Sequence, residues 1–544
     1  MAQDNLTAKQ KDYAVFLPAI SGFYATFIGK QRNEEYVDPA RFPQGLTDME
    51  QLNWLDSQKA LFPYKWSLYS GGHANLDLSK QDWSEDMVRN RDPNTLVLGD
   101  SGGFQIAKGL WEGDWKANSG CPKAQAKRAA VLNWLDNISN YCMTLDIPTW
   151  VIHDKKASEA CGIKHLHEAI DATRYNNEYF MKHRKGAKNG GTKILNVLQG
   201  DNHENAENWY QIMKEYCDPV KYPDTHFDGW AMGGQNMSDV HLILRRLVAL
   251  RYDNLLQEGI HDWMHFLGTS KLEYAVLLTV IQRAVRKYVN PKFTISFDCA
   301  SPFLATANGQ VYFENVFDHD GKWSYRMAPV LDDKKYANDT RKWRDGILAD
   351  IKSKDKNSPI NNWEDSPISE MLTMKDICIY GPGVPKAGVT LNETNFKDPE
   401  SYDVLPDVNK NGKWGKTSWD SFSYALLMGH NVWMHLTAVQ EANRRFDAGE
   451  HPAMMRYTAP SHELFEDIVE AIFAAPDRDT AEAIIETYDS YWMEIVGTRG
   501  FKGKKAKNGR TMAAKHVHIE GNLAKDKPVK KEKLKPVLNP DLFG

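Results

Sequence analysis

The sequence predicts an α/β chain folded as a (β/α)8 barrel, with a large insertion at about 310–415, a helical extension at 451–500 and a basic tail at 501–544. Two observations carry this. Between residues 95 and 300, short apolar runs of strand character alternate with longer segments of helical spacing, which implies a parallel sheet. Polar residues then fall at the ends of those runs: Asp100, Asp146, Gln199, Gly233 with Gly234, and Asp298. In a barrel those ends share one rim, where active sites are built. An open doubly wound sheet is the alternative, but it leaves five coincidences unexplained.

Taken in order, residues 1–90 are rich in aromatics such as Tyr64, Trp66 and Tyr69, and are expected to begin the barrel and cover its base. The strands that follow read as TLVLGD, YCMTLDIP, KILNVLQGD, GWAMGG, WMHFLGT and FTISFDCASP. Among the helices, Lys271 to Val289 is the clearest. Tyr274, Leu277, Leu278, Ile281, Ala284, Val285 and Tyr288 share a face that excludes Arg283, Arg286 and Lys287. Residues 124–141 repeat the pattern through Val131, Leu132, Leu135 and Ile138. The stretch 310–415 holds charged runs, DDKKYANDTRKWRDG and IKSKDKNS, expected as a helical insertion over the rim. Residues 1–450 thus form the barrel domain. The segments ELFEDIVEAIFAA and AEAIIETYDSYWMEIV read as helices that pack on the barrel or form a dimer.

Composition excludes several classes. At 544 residues, with 42% hydrophobic and 26% charged residues, the chain resembles an ordinary globular protein. No uncharged apolar run approaches the roughly 18 residues of a membrane span, and the first residues lack a signal peptide's apolar segment. No membrane association and a cytoplasmic location are expected. Six cysteines stand singly, without the spacing of a disulfide framework or a zinc knuckle, so free thiols are expected. Net charge is −5, but from Phe501 onward 12 Lys and Arg face 4 Asp and Glu, a net of +8 that leaves −13 on residues 1–500. Such an arm can lie along phosphates or serve only solubility.

The five letters GDSGG at 99–103 also surround the nucleophile of trypsin-like proteases. That reading needs an all-β protein with its catalytic histidine ahead of the serine, and the only histidine before Ser101 is His73. Ser101, Gly102 and Gly103 are instead expected to bring backbone N–H groups close to a ligand, with Asp100 as the working residue. Two carboxylates on one rim, Asp100 and Asp298, suit chemistry at an anomeric carbon: one attacks the sugar and the other moves protons. Aspartates also end strands as caps of the next helix, and the sequence leaves that open.

GDSGGFQ, LDIPTW, NVLQGD, GWAMGGQN, HFLGTS and SFDCASP, in that order and at these intervals, resemble the tRNA-guanine transglycosylase superfamily, over roughly residues 90–310. ALLMGHNVWMHLTAVQEANRRF at 425–446 resembles the family's late helical region. The resemblance implies a ping-pong base exchange, in which guanine in a nucleic acid is replaced by a free 7-deazaguanine without cutting the backbone. Asp298 would be the nucleophile and Asp100 the general base. Phe104 would stack on the base, Asp146, Gln199 and the backbone of Gly233 and Gly234 would bind its guanine-like edge, and Leu267 would close the other face. The guanine must leave the stack to be reached, which single-stranded or distorted substrate makes easier. The resemblance also implies pairing through barrel surfaces as a homodimer.

Departures from the family choose the substrate. Its zinc site of closely spaced cysteines and a histidine has no counterpart after Cys299, where only Cys378 remains. His165 and His167, two apart on an expected helix, would point to different faces. No metal and no cofactor are expected. The arginine-bearing loop with which bacterial tRNA-exchanging members read the anticodon stem is PFLATANGQVY here, with no arginine before Arg326. LDIPT resembles the archaeal branch, which takes 7-cyano-7-deazaguanine, yet no archaeal-type C-terminal RNA-binding domain is evident. The reduced core, the insertion and the basic tail fit best the branch of bacteria and bacteriophages that modifies DNA and shields it from restriction. DNA and 7-cyano-7-deazaguanine are therefore the expected substrates. A tRNA enzyme of the queuosine or archaeosine type, a non-catalytic nucleic-acid-binding paralogue and an unrelated glycoside hydrolase are the alternatives.

Overall fold

The computed structural model describes residues 3–34, 42–80, 85–234, 239–331, 334–336, 338–358, 360, 362–378, 421–457, 463–496, 498–499 and 504–505. Eight parallel strands form one sheet: β1 (Val15–Pro18), β2 (Trp66–Ser70), β3 (Leu96–Asp100), β4 (Tyr141–Met143), β5 (Lys193–Leu198), β6 (Gly229–Met232), β7 (Trp263–Phe266) and β8 (Thr294–Cys299). Consecutive strands pair from β2 through to β8, and β8 returns to β1 with Leu17 opposite Asp298. A parallel bridge from Ala19 to Leu68, with the Ile20 N–H on the Leu68 carbonyl at 3.0 Å, joins β1 to β2 and closes the ring. This is the expected (β/α)8 barrel. The six strands read from residues 95–300 are present, and residues 1–90 supply the other two.

The strands read as near-continuous apolar runs because both of their faces are buried. On β3, Leu98 points into the barrel interior while Val97 packs with the surrounding helices. The interior holds Val15, Leu17, Leu68, Leu98, Met143, Leu195, Val197, Ala231 and Trp263. Around it run α1 (Gly22–Glu34), α2 (Asp86–Arg89), α3 (Gly103–Ala107), α4 (Pro122–Ile138), α5 (Lys155–Cys161), α6 (Leu166–His183), α7 (His203–Met213), α8 (Val240–Tyr252) and α9 (Leu272–Tyr288). Local chemistry starts them. Pro122 opens α4, and Asp154, Asn202 and Asp239 cap α5, α7 and α8 by accepting backbone N–H bonds.

After β8 the chain makes α10 (Ser301–Ala307) and then departs from the expected helical insertion. Its first element is an antiparallel hairpin, β9 (Gln310–Phe317) with β10 (Trp323–Pro329), followed by α11 (Trp343–Lys354) and α12 (Met374–Ile377). The hairpin is covered on both faces near its base: Val311, Phe313, Trp323 and Ala328 join the main core, while Tyr312 and Met327, opposite each other in register, pack with Met434. Residues 379–420 lie outside the described residues. The helix Ser421–Asp447 then packs on α9, α10 and α1, in the place of the barrel's eighth helix. Its Trp433 Nε1 donates to Asp4 Oδ2 at 2.9 Å, and its Gln440 Nε2 to the Leu6 carbonyl at 2.8 Å.

The helices Phe465–Ala474 and Arg478–Thr487 pack on α9 and α8 respectively, which settles their place on the barrel. Glu486 accepts from His241 Nε2 at 2.8 Å and Arg245 at 2.6 Å, while Tyr252 donates to the Ala475 carbonyl at 3.1 Å. Of the basic tail, only Lys504–Lys505 are described, paired with Thr498–Arg499; residues 506–544 lie outside. Among the described residues, no helix is long and apolar enough to cross a membrane.

Candidate active site

All eleven expected site residues fall at the C-terminal ends of the strands. Asp100 closes β3, with Ser101 to Phe104 turning into α3; Asp146 and Gln199 follow β4 and β5; Gly233 and Gly234 follow β6; Leu267 follows β7; Asp298 is the penultimate residue of β8. Neither Asp100 nor Asp298 caps a helix: α3 is entered through Gly102 and α10 through Ala300, both without a side-chain cap. The helix-capping alternative for the two carboxylates is not what the structure shows.

Asp100 sits in a corner made by β2 and β3. Ser70 Oγ donates to its Oδ2 at 2.6 Å, and the Gly102 N–H reaches Oδ1 at 3.3 Å. Ser70 is itself fixed by the Gly72 N–H at 3.0 Å. Burial raises the Asp100 carboxyl above the usual carboxylate range; its two hydrogen bonds oppose this, and the charge of Asp298 adds to it. His73 lies close enough to feel Asp100, but burial dominates and holds its imidazole below the ordinary value.

Asp146 and Gln199 are joined along one edge of the rim. Gln199 Nε2 donates to Asp146 Oδ2 at 2.7 Å. Burial pushes Asp146 up to about 7, the Gln199 bond opposes it, and the charge of Asp100 pushes further. Gln199 Oε1 is buried without a hydrogen-bond partner among the described residues, an arrangement that costs free energy unless a ligand or water donates to it. Glycine is needed alongside: a Cβ on Gly233 would meet Gln199 Nε2 at 2.6 Å, and one on Gly234 would meet Gln199 Oε1 at 2.9 Å. The Gly233 N–H is spent on the Leu198 carbonyl, which leaves only its own carbonyl to meet a ligand. At Gly103 a Cβ would lie 2.6 Å from the Asp146 carbonyl, so glycine there lets α3 abut the Asp146–Gln199 edge.

Ser101 is 1% exposed, and its Oγ donates to the Thr144 carbonyl at 2.8 Å. Its hydroxyl ties β3 to β4 and is no free nucleophile. Phe104 is 47% exposed, with its ring 6.3 Å from that of Trp150 and Lys108 Nζ 5.3 Å from both. Leu267 packs on the barrel interior.

Asp298 accepts two hydrogen bonds on Oδ1, from the Gly268 N–H at 3.0 Å and from His265 Nε2 at 3.1 Å. The neighbouring Cys299 thiol is pushed up to about 12 by burial, so it stays protonated and does not compete as a nucleophile.

Ser70, His73 and His265 escaped the sequence reading. His265 was within reach of it: the period of two places His265 on the same face as Trp263 and Leu267. A second rim pair also escaped, the buried Asp201, which accepts from Thr149 Oγ1 at 2.6 Å and bonds His153 Nε2 at 2.6 Å. His165 proves to be the N-cap of α6 rather than part of it, and its ring stacks on His167 at 5.5 Å. The expectation of opposite faces failed because a cap residue does not obey helical spacing. Among the described residues, no group of three or more His, Cys, Asp or Glu could hold a metal ion. Neither a protein-family model nor a curated protein matches the chain.

Proposed function

We propose that the protein is a base-exchange transglycosylase that replaces guanine in DNA with a 7-deazaguanine, 7-cyano-7-deazaguanine being the expected base. The observation that supports it most is the Asp146–Gln199 edge beside two unlike carboxylates. Guanine and 7-deazaguanines present N–H donors at N1 and N2, and this edge offers Asp146 and the unpartnered Gln199 Oε1 as acceptors. Buried acceptors left unpaired discriminate strongly against bases that lack those donors.

In the reaction, Asp298 attacks the anomeric carbon and guanine departs with the bonding pair. Asp100, whose carboxyl burial keeps inclined to hold a proton, protonates the departing base. As a carboxylate it then removes the ring N–H proton from the incoming 7-deazaguanine, which displaces Asp298 and restores the starting configuration through two inversions. Phe104, exposed on the rim, is available to stack on the base. The chemistry asks no metal or cofactor of the site, and a cytoplasmic location accords with a nucleic-acid substrate.

The test offers isotope-labelled 7-cyano-7-deazaguanine with DNA and with tRNA in separate reactions, followed by mass spectrometry of the digested nucleosides. Label in deoxynucleosides is expected. Label only in ribonucleosides moves the substrate to tRNA and keeps the roles of the carboxylates, and label in neither overturns the reading.

A further inference from the structure

Within the apolar barrel interior, β8 is the exception. None of its residues joins the interior cluster, and Ser296 and Asp298 stand opposite Val15 and Leu17 of β1, both members of that cluster. On β7, His265 faces Ser296 in register and is 0% exposed. Polar groups this deep are costly unless every one is satisfied. Here they form a single line from the barrel floor to the rim. Trp263 Nε1 lies 2.8 Å from Ser296 Oγ, Ser296 Oγ 2.9 Å from His265 Nδ1, and His265 Nε2 3.1 Å from Asp298 Oδ1.

The line has a direction. An indole N–H can only donate, so Ser296 Oγ accepts from Trp263. The Ser296 hydroxyl proton is then free to go to His265 Nδ1, which makes that nitrogen the acceptor and places the neutral ring's proton on Nε2, aimed at Asp298. The Gly268 N–H ends on the same carboxylate oxygen, and Oδ2 carries no hydrogen bond among the described residues.

We infer that His265 is a positioning residue for the nucleophile, and that it and Gly268 hold Oδ1 so that Oδ2 is the oxygen that attacks. The inference rests on the base-exchange reading. A lone pair of Oδ2 forms the bond to the anomeric carbon. The bond from that carbon to the guanine nitrogen breaks, its electron pair leaves with the base, and Asp100 supplies the proton. Oδ1 becomes the ester carbonyl oxygen and keeps both donors. In the second half, Asp100 takes the incoming base's N–H proton, the new C–N bond forms, and the ester C–O bond breaks. Charge then returns to the Asp298 carboxylate while two donors already point at it, so their stabilisation falls mainly on release of the intermediate.

Two measurements test this. In His265→Phe, exchange should fall by about 10²-fold, with a larger share of protein trapped on denaturing gels as the covalent adduct, because release slows more than attack. His265→Gln, whose amide N–H can replace Nε2, should recover much of the loss. Independently of activity, ¹⁵N NMR of histidine-labelled protein, with the His265 signals identified by their loss in His265→Gln, should show a neutral, Nε2-protonated ring. An Nδ1-protonated ring, or an active His265→Phe whose adduct share matches wild type, overturns the role of His265. Wild-type protein that forms no adduct on DNA or RNA overturns the base-exchange reading and the assignment of Oδ2 with it.

Discussion

The β2–β3 corner and the β7–β8 corner each carry one aspartate, and the protein treats the two in opposite ways. Asp100 has one strong donor, Ser70, and one long one, Gly102; it is half-buried and feels the charge of Asp298. Desolvation leads the balance and raises its carboxyl above the usual carboxylate range. Asp298 receives two donors on a single oxygen, one of them a histidine backed by Ser296 and Trp263. Oδ1 is held there, and Oδ2 carries no hydrogen bond among the described residues. The same side chain thus meets two donors in each corner, spread over both oxygens of Asp100 and gathered on one oxygen of Asp298, which suits the proton carrier and the nucleophile of the proposed reaction.

The comparison can be broken hardest at Asp298. Asp298→Asn should reduce exchange by at least about 10³-fold and abolish the covalent adduct, with nucleic-acid binding retained in a filter or anisotropy assay. Adduct formation by this variant would place the nucleophile elsewhere. Asp100→Asn should cost about 10²- to 10⁴-fold. In wild type, exchange should decline on the alkaline side as Asp100 loses the proton it must give to guanine. That limb should vanish from the pH–rate profile of the variant, and its survival would assign the proton to another group.

Asp146→Asn sharpens the contrast from the recognition side. The native carboxyl, near 7 when folded and near 4 when unfolded, contributes stability that is present below its unfolded value and is lost as pH rises through about 7. The substitution should therefore leave stability near pH 4 little changed and raise it at pH 8 by roughly 2–4 kcal/mol in denaturant titrations, while weakening binding of the free base. Equal effects at both pH values would mean that Asp146 is not the buried acid described. The smallest effect is expected at Ser101. Ser101→Ala should lower stability by about 0.5–1.5 kcal/mol, through loss of one buried hydrogen bond to a Thr144 carbonyl that keeps the Asp146 N–H, and change exchange only a few-fold.

The barrel was legible in the sequence wherever strands are buried on both faces, because LVLGD or KILNVL leaves little choice of environment. β1 and β2 were less so: VFLP is four residues long, and WSLYS mixes serines into its run. The rim residues were legible as an ordered set of motifs, with their two-sided chemistry hidden. Nothing local in GDSGG says that Ser101 bonds Thr144 across to the next strand, since 43 residues separate them. The Trp263–Ser296–His265–Asp298 line was equally hidden, because each contact from β7 to β8 spans more than 30 residues and only the register brings them together. The β9–β10 hairpin was obscured by the charged composition that follows it.

The place of the helix Ser421–Asp447 has a consequence for how the protein is made. Seven helices of the ring follow their strands directly, whereas the eighth leaves the ribosome about 120 residues after β8. At roughly 5–20 residues per second, a nascent chain that already holds all eight strands waits about 6–24 s for the element that seals α9 against α1. During that interval the apolar flank beneath Phe16, Tyr24 and Leu277 faces water. Synthesis that stalls between residues 300 and 420 should therefore yield chains that depend on chaperones, and the rate of translation through the insertion becomes a determinant of yield.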